Sequence, residues 1–267
     1  MESEFEQAKN IINESENILF FTGSGISAES GIPTFRGDDG LWVKYSPSEF
    51  GTISSIFEQF KKNPKKVLYF LNDVLKVFIS AKPNNSHISI GELENKIGKN
   101  ITVITQNIDN LHEKAGSSKV IKLHGDLFTL KCIKCNHVIS VNSDYIDKFL
   151  INLNKLFMDP LGIMENIKKF LPVCPKCGNL MRPDVVFFGE SLPQYAINEA
   201  IDAVNHTNLM VIIGTSGEVY PANTFPETAK SNGVKLIEIN PNRTYFTDIV
   251  DVFIKGNASE ILPQLIK

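Results

Sequence analysis

Short β-branched runs recur along the chain with helical patterns between them, and this rhythm narrows the fold more than any other feature. Ile18–Thr22, Ile101–Thr105, Val120–Leu123, Leu209–Gly214, Lys235–Asn240 and Val250–Ile254 are short β-branched runs, mostly apolar. Glu4–Asn13, Asn63–Ile79, Gln194–Val204 and Thr224–Asn232 instead carry apolar residues at helical spacing, with Asn63 placed to cap and Pro64 at the first helical position. Strands that are apolar on both faces must be covered on both, which predicts an α/β fold with a doubly wound parallel sheet. The polar stretch Ser80–His87 reads as a loop. With 267 residues, 42% of them hydrophobic, the chain suffices for one large core carrying a smaller satellite.

Ligands of such sheets bind beyond the carboxyl ends of the strands, so the residues after each run carry the functional signal. The first run enters Gly23-Ser24-Gly25-Ile26-Ser27-Ala28, a glycine turn that can cradle a pyrophosphate and, as Gly23-x-Gly25-x-x-Ala28, a Rossmann-type match. A dehydrogenase would continue into a long helix. Here Pro33 stops it early and is followed by Thr34, Phe35 and Arg36, which set a ring and a guanidinium beside the phosphate site. Other runs end in Thr105-Gln106-Asn107-Ile108-Asp109, Leu123-His124-Gly125-Asp126, Gly214-Thr215-Ser216 and Asn240-Pro241-Asn242. Gly214, Thr215 and Ser216 can offer donors to phosphate, and Asn240 stands where doubly wound folds read a ribose. Taken singly, Asn107 and Asp109 are equally compatible with side-chain bonding inside a turn.

His124 stands at a strand end and, taken alone, is equally compatible with a hydrogen-bonded structural residue; placed opposite a dinucleotide, its imidazole can take a proton from a hydroxyl near neutral pH. The remaining histidines, His87, His112, His137 and His206, have no comparable company in the sequence. All four cysteines fall in two close pairs, Cys132-x-x-Cys135 and Cys174-x-x-Cys177, the pattern of a tetrahedral zinc site. Disulfides are disfavoured in a cytoplasmic chain, and a redox pair does not explain two such motifs. Four thiolates leave no open position, so the metal's role is structural. The gap between the pairs exceeds the usual ~15–20 residues, and Tyr145–Leu171 reads as a helical insertion in the zinc module.

A net charge of −3 gives no general attraction to nucleic acid or anionic lipid. No apolar run reaches membrane-spanning length, and the acidic, amphipathic start is unlike a signal peptide, so cytoplasmic residence is the expectation.

These motifs together, with Gly31-Ile32-Pro33-Thr34-Phe35-Arg36, Phe188-Gly189-Glu190 and the stretch up to Ala258, resemble the sirtuins, NAD-dependent protein-lysine deacylases, over nearly the whole length and in the family's order. The chain departs from the pattern at Ser24, usually Ala, and at Asn110, usually Gly. The resemblance implies a Rossmann-like large part near 1–36, 80–128 and 182–267, and a small part from 37–79 and a zinc-ribbon plus helical module at 129–181. It implies NAD as co-substrate and one structural zinc held by Cys132, Cys135, Cys174 and Cys177. The nicotinamide carboxamide would meet Asp109 and Ile108, the ribose Gln106 and Asn107, and the adenosine Asn240 and Ala258. Gly23, Ser24, Gly25, Ile26, Ala28, Thr34, Phe35, Arg36 and Trp42 belong to the same cofactor set.

By the same resemblance, the acyl-lysine amide oxygen attacks the nicotinamide ribose to give an alkylimidate, and His124, with Asn107 as the second catalytic residue, deprotonates the ribose hydroxyl that attacks it. Nicotinamide, O-acyl-ADP-ribose and free lysine leave. The substrate protein would bind as an added strand along Phe188-Gly189-Glu190 and Glu218-Val219-Tyr220, with Val186, Phe187 and Phe188 lining the lysine tunnel. Read from the residues, 186–188 are equally a buried strand. Ala28-Glu29-Ser30 is similar to the class III subgroup that contains desuccinylases and demalonylases, whose acyl pocket carries Tyr-x-x-Arg; aligned on Asn63-Pro64, those positions are Leu71 and Val74. A succinyl carboxylate would find no arginine, so the expectation is an apolar acyl pocket that takes acetyl or longer acyl groups. An NAD-dependent protein ADP-ribosyltransferase and a silent NAD or ADP-ribose sensor remain alternatives on the same scaffold.

Overall fold

Six strands, β1 (Asn17–Thr22), β2 (Asn100–Thr105), β3 (Val120–Lys122), β7 (Leu209–Ile213), β8 (Lys235–Asn240) and β9 (Val252–Lys255), form one parallel sheet in a computed structural model that describes residues 3–35, 40–158 and 171–266. Their order is β3-β2-β1-β7-β8-β9. The chain winds outward from β1 in one direction and from β7 in the other, so the switch point lies between those two strands. Register aligns Thr22 with Thr105 and with Ile213, which brings the polar strand ends to a common edge. Central strands are buried beyond their first residues, with Phe20, Phe21, Val211 and Ile237 fully enclosed, as continuous apolar runs require.

The chain divides into two compact units, one of 1–34, 82–124 and 192–267 and the other of 35–81 and 125–191. In the first, the helix Glu4–Glu14 is capped by the Ser3 side chain and buries Ala8 and Ile12. The segment expected as a loop at Ser80–His87 is a correction: a helix runs Asn85–Asn95, its amides capped by Asn84, so His87 is helical. Apolar spacing missed it because the face it buries is largely polar, including Ser86, His87 and Ser89. The last strand starts at Val252 rather than Val250, because the Asp251 carboxylate turns back to accept the Leu236 N–H.

In the second unit, β4 (Gly125–Cys132), β5 (Val138–Ser140) and β6 (Met181–Val185) make an antiparallel sheet in the order β5-β4-β6. The helix Pro64–Ser80 begins as its sequence dictates, with the Asn63 side chain accepting from Lys66 N–H and Pro64 at the first position. It buries Val67 and Phe70 with Tyr45 and Phe50 in an aromatic cluster. The helix Ser143–Met158 packs against it and covers the start of the expected insertion; residues 159–170 of that insertion, and Arg36, lie outside the described residues. Among the described residues no helix is long and apolar enough to cross a membrane.

Candidate active site

Strand β1 ends at Thr22 and the chain turns at Gly23 into a short 3-10 helix, Ser24–Ser30, which Gly31 ends in a left-handed conformation. Main chain meets main chain here. Gly23 N–H donates to Ile213 O at 3.0 Å and Gly25 N–H to Gly214 O at 2.8 Å. A Cβ on Gly25 would lie 2.7 Å from Gly214 Cα, and one on Gly214, at φ +62°, would lie 2.4 Å from Ile26 N. No side chain fits either place, so the two loops at the switch point interlock through glycine. Ile26 is buried, Ser24 and Thr34 are half-buried and Ala28 is exposed.

The loop after β2 crosses the same ground. Asn107 Nδ2 donates to Gly23 O and to Ser27 Oγ, each at 3.1 Å. Ser27 Oγ donates to Asp109 Oδ2 at 2.7 Å, and Leu111 N–H to Asp109 Oδ1 at 3.0 Å. Burial pushes the Asp109 carboxyl up, against the opposing pull of these two bonds. Gln106 Nε2 reaches Thr215 Oγ1 at 3.0 Å, and Ile108 is half-buried beside it. Asn110 adopts φ +59°, the left-handed conformation that asparagine tolerates best after glycine, and Lys122 Nζ donates to its side-chain oxygen. The departure from glycine there keeps the backbone conformation.

His124 follows β3, with Nδ1 3.0 Å from the carbonyl of Gln106. A carbonyl can only accept, so Nδ1 carries the proton and Nε2 of the neutral ring is left with its lone pair. Burial lowers the pKa of this imidazole, with the bond to Gln106 opposing, so the neutral form prevails at neutral pH. Gly125 follows at φ +78°, where a Cβ would lie 1.8 Å from Asp184 O, so the residue after the histidine must be glycine.

Two histidines that looked isolated in the sequence lie behind this loop. His87 and His112, exposed 0% and 1%, meet edge to face with ring centroids 4.9 Å apart. His112 Nε2 is 3.0 Å from Thr22 Oγ1, which donates to Thr105 Oγ1 at 2.9 Å, and His87 Nε2 is 3.5 Å from Ser27 Oγ. Burial brings His87 down to about 4 and His112 well below the ordinary value. Only the fold joins them, since they come from different helices, Asn85–Asn95 and Leu111–Lys114, and nothing in their sequence surroundings pairs them.

On the other side of the switch point, Asn240 Nδ2 donates to Thr215 O at 3.1 Å. Pro241, Asn242 and Ser216 are exposed, and Ala258 is buried as the first residue of the helix Ala258–Leu265. Glu218 and Tyr220 are exposed and Val219 half-buried.

Within the second unit, Trp42 packs between Phe35 and Phe188, with centroids at 5.8 and 5.7 Å. Strand β6 ends at Val185, so Val186 and Phe187 continue it only as half-buried extended chain and Phe188-Gly189 turns outward. Arg182 grips the Glu190 carboxylate through two nitrogens, at 2.6 and 2.8 Å, and its hydrogen bonds hold Glu190 below the usual carboxylate range. Leu71 and Val74 pack against the Tyr45, Phe50 and Phe70 rings. Between them, Asp73 accepts from Tyr45 Oη at 2.5 Å and from Lys44 Nζ at 2.6 Å. Burial opposes ionisation of Asp73, but the Lys44 and Tyr45 bonds outweigh it and the carboxyl stays below its usual range.

The four cysteine sulfurs lie within 4.8 Å of one another, with Cys132 and Cys177 3.5 Å apart and Cys135 and Cys174 3.6 Å apart. Tetrahedral Zn–S bonds of ~2.3 Å place thiolates ~3.8 Å apart, so the set fits zinc. The N–H groups of Lys134 and Cys135 point at Cys132 Sγ, as the turn of a zinc knuckle presents them.

The family model described as Sir2 family matches residues 23–221. NAD-dependent protein deacylases of Pyrococcus furiosus and Thermococcus kodakarensis are 42% and 41% identical over 261 residues each, covering 98% and 97% of this chain and 96% and 93% of theirs. Among solved structures, a Sir2 homolog–NAD complex superposes with TM-score 0.79 at 38% identity, covering 98% of this chain and 92% of the other. A Sir2–p53 peptide–NAD+ complex does so with TM-score 0.76 at 32% identity, covering 100% and 98%.

Proposed function

This chain belongs to the Sir2 family and is an NAD-dependent protein deacylase, and we propose that the reaction runs at the carboxyl edge of the six-stranded sheet with His124 as general base. One observation carries this assignment: His124 donates from Nδ1 to Gln106 O, which leaves the Nε2 lone pair to take a proton from a ribose hydroxyl. Asn107, turned by Gly23 O and Ser27, is the second catalytic residue. When bound, NAD supplies the electrophilic ribosyl carbon and nicotinamide as leaving group.

Residues already tied into the edge fit that group. The interlocked glycines Gly23, Gly25 and Gly214 would let the phosphates approach the backbone closely, since the N–H groups of Gly23 and Gly25 are spent on Ile213 O and Gly214 O, and Ser24, Ile26, Thr215 and Ser216 would line the same place. Asp109 with Ile108 would hold the carboxamide, Gln106 a ribose, and Asn240, Pro241, Asn242 and Ala258 the adenosine. Ala28, Thr34, Phe35, Arg36 and Trp42 complete the reading, Phe35 supported by its packing on Trp42 and serving to exclude water. The nucleotide-binding part and the zinc-bearing part are the two functional divisions, and Cys132, Cys135, Cys174 and Cys177 hold the second together. Zinc with four thiolates has no open position and takes no part in the chemistry.

The substrate is a peptide segment, as the p53 peptide complex of a Sir2 relative supports; it would bind through main-chain bonds at Phe188, Gly189 and Glu190 and at Glu218, Val219 and Tyr220, with the lysine passing Val186 and Phe187. Acyl preference follows from Leu71 and Val74. Both present hydrocarbon, and the neighbouring cation Lys44 is already paired with Asp73. A succinyl carboxylate would be buried without a partner, at a cost of several kcal/mol. Acetyl and longer apolar acyl groups are therefore preferred. A net charge of −3 supports no nucleic-acid or membrane role, and cysteines spent on a thiolate cluster fit a cytoplasmic setting. A panel of acetyl-, myristoyl-, malonyl- and succinyl-lysine peptides, with and without NAD, tests the whole reading. Desuccinylation as fast as deacetylation refutes the apolar pocket; turnover without NAD refutes the reaction.

A further inference from the structure

Glu238 lies on β8 two residues before Asn240 and is fully buried, at 0% exposure. Its carboxylate takes two hydroxyl bonds from the loop that follows the strand, Thr244 Oγ1 to Oε1 at 2.5 Å and Thr247 Oγ1 to Oε2 at 2.6 Å. The loop is arranged to aim both protons at it. Thr244 N–H donates to Thr247 Oγ1 at 2.8 Å, and Phe246 N–H donates to Thr244 Oγ1 at 3.1 Å. Each hydroxyl thus has a lone pair engaged by the loop's own backbone and its proton turned to the carboxylate. A glutamine at 238 would present an amide donor to one of these hydroxyls and leave that proton without an acceptor.

What this clamp holds in place touches both loops beside the switch point. Tyr245 N–H donates to Ser216 O at 3.2 Å, and the Phe246 ring meets Phe21 of β1 at 6.4 Å and 89°. Gly217 leaves no room for a side chain: a Cβ there would lie 2.8 Å from both Tyr245 Cβ and Phe246 Cε2. From the strand side, Asn240 Nδ2 holds Thr215 O. The loop 214–217 is therefore fixed from below by the residues Glu238 anchors and from the side by the asparagine on the same strand.

We infer that Glu238, with Thr244 and Thr247, is a positioning residue for the adenosine half of NAD, keeping Asn240, Asn242 and Ser216 in their binding arrangement without touching the nucleotide. This rests on the assignment of Asn240 and its neighbours to adenosine. Its mark is a separation of the two halves of the co-substrate: the adenosine side weakens, whereas the nicotinamide side, built from Asp109, Asn107 and His124, does not.

The test uses Glu238→Gln, Thr247→Val, Thr247→Ser and Asn240→Ala in the full chain, with steady-state kinetics, calorimetric ADP-ribose affinity, nicotinamide inhibition and thermal midpoints. Glu238→Gln and Thr247→Val raise KM for NAD and Kd for ADP-ribose by about tenfold, while kcat at saturating NAD and nicotinamide inhibition stay within about twofold. Thr247→Ser, which keeps the hydroxyl, restores both to near the wild-type values. Unchanged ADP-ribose affinity in a folded Thr247→Val overturns the inference, as does a loss of kcat that follows the thermal midpoint with KM constant. If Asn240→Ala leaves ADP-ribose affinity intact, the adenosine assignment itself falls; if it weakens affinity and Thr247→Val does not, the clamp falls alone.

Discussion

The buried histidines His87 and His112, together with His124, make stability depend on pH below the ordinary histidine value. His87 is brought from an ordinary 6.5 to about 4 by burial, and His112 is lowered further in the same direction. Between those values the unfolded chain binds protons that the folded chain refuses, so folding stability is full above pH 6.5 and falls as the solution is acidified towards pH 4. At ~1.4 kcal/mol per pH unit per proton, His87 alone accounts for a loss of about 2 kcal/mol by pH 5 and about 3 kcal/mol by pH 4. Asp109 works the other way, because its raised carboxyl takes up a proton earlier when folded, so the wild-type slope is a net quantity. The difference between wild type and His87→Gln isolates the histidine. Glu190, Asp73 and Asp251, all lowered, lose their contributions only as the pH falls below the ordinary carboxylate range. Urea unfolding by fluorescence at pH 7.5, 6.0, 5.0 and 4.5 gives the free energies by linear extrapolation. The variant is less stable at pH 7.5 but loses about 2 kcal/mol less than wild type on going to pH 5. Parallel plots for the two proteins would refute the argument, because they would mean that His87 takes up its proton equally in both states.

Four other outcomes follow from the site. His124→Asn lowers deacylation by at least ~100-fold while keeping ADP-ribose affinity, and wild-type kcat/KM falls on acidification with a midpoint below the ordinary histidine value; a midpoint above it contradicts the burial of the ring. Gly214→Ala, forced against Ile26 at φ +62°, costs more than ~2 kcal/mol and abolishes ADP-ribose binding, as read by melting with and without ligand. Cys174→Ser reduces the zinc content by elemental analysis from one per chain to none and opens 125–191 to protease; a zinc-free protein with native protease resistance rules out the structural metal. Val74→Arg supplies a cation to the acyl pocket and raises the succinyl-to-acetyl rate ratio at least ~10-fold, and no change means that the pocket lies elsewhere.

Strand runs, the glycine turn and the cysteine pairs were legible because each obeys a local rule. Ile18–Thr22 is apolar on both faces because both faces are covered, and Cys132, Cys135, Cys174 and Cys177 use a spacing set by the metal's own geometry. The helix Asn85–Asn95 was not legible, since the side it buries mixes Ser86, His87, Ser89 and Gly91 with only Ile90 and Leu93, too few apolar residues to mark a stripe. His87, His112 and Glu238 were illegible for a related reason. A buried polar residue is recognised by its partners: Ser27 and Thr22 come to the histidines from distant segments, and Thr244 and Thr247 reach Glu238 only because the loop after the strand folds back on it. Asn110 shows the reverse case, where a departure visible in the sequence proved to be one the backbone tolerates.

Gly25 and Gly214 sit so close that each occupies the space the other's side chain would need. For anyone reshaping this enzyme, the two loops are a single part. Libraries that diversify one without the other will return only glycine at both positions; under the proposed co-substrate site, the places left to vary are the outer residues Asn242 and Ser216, which are exposed.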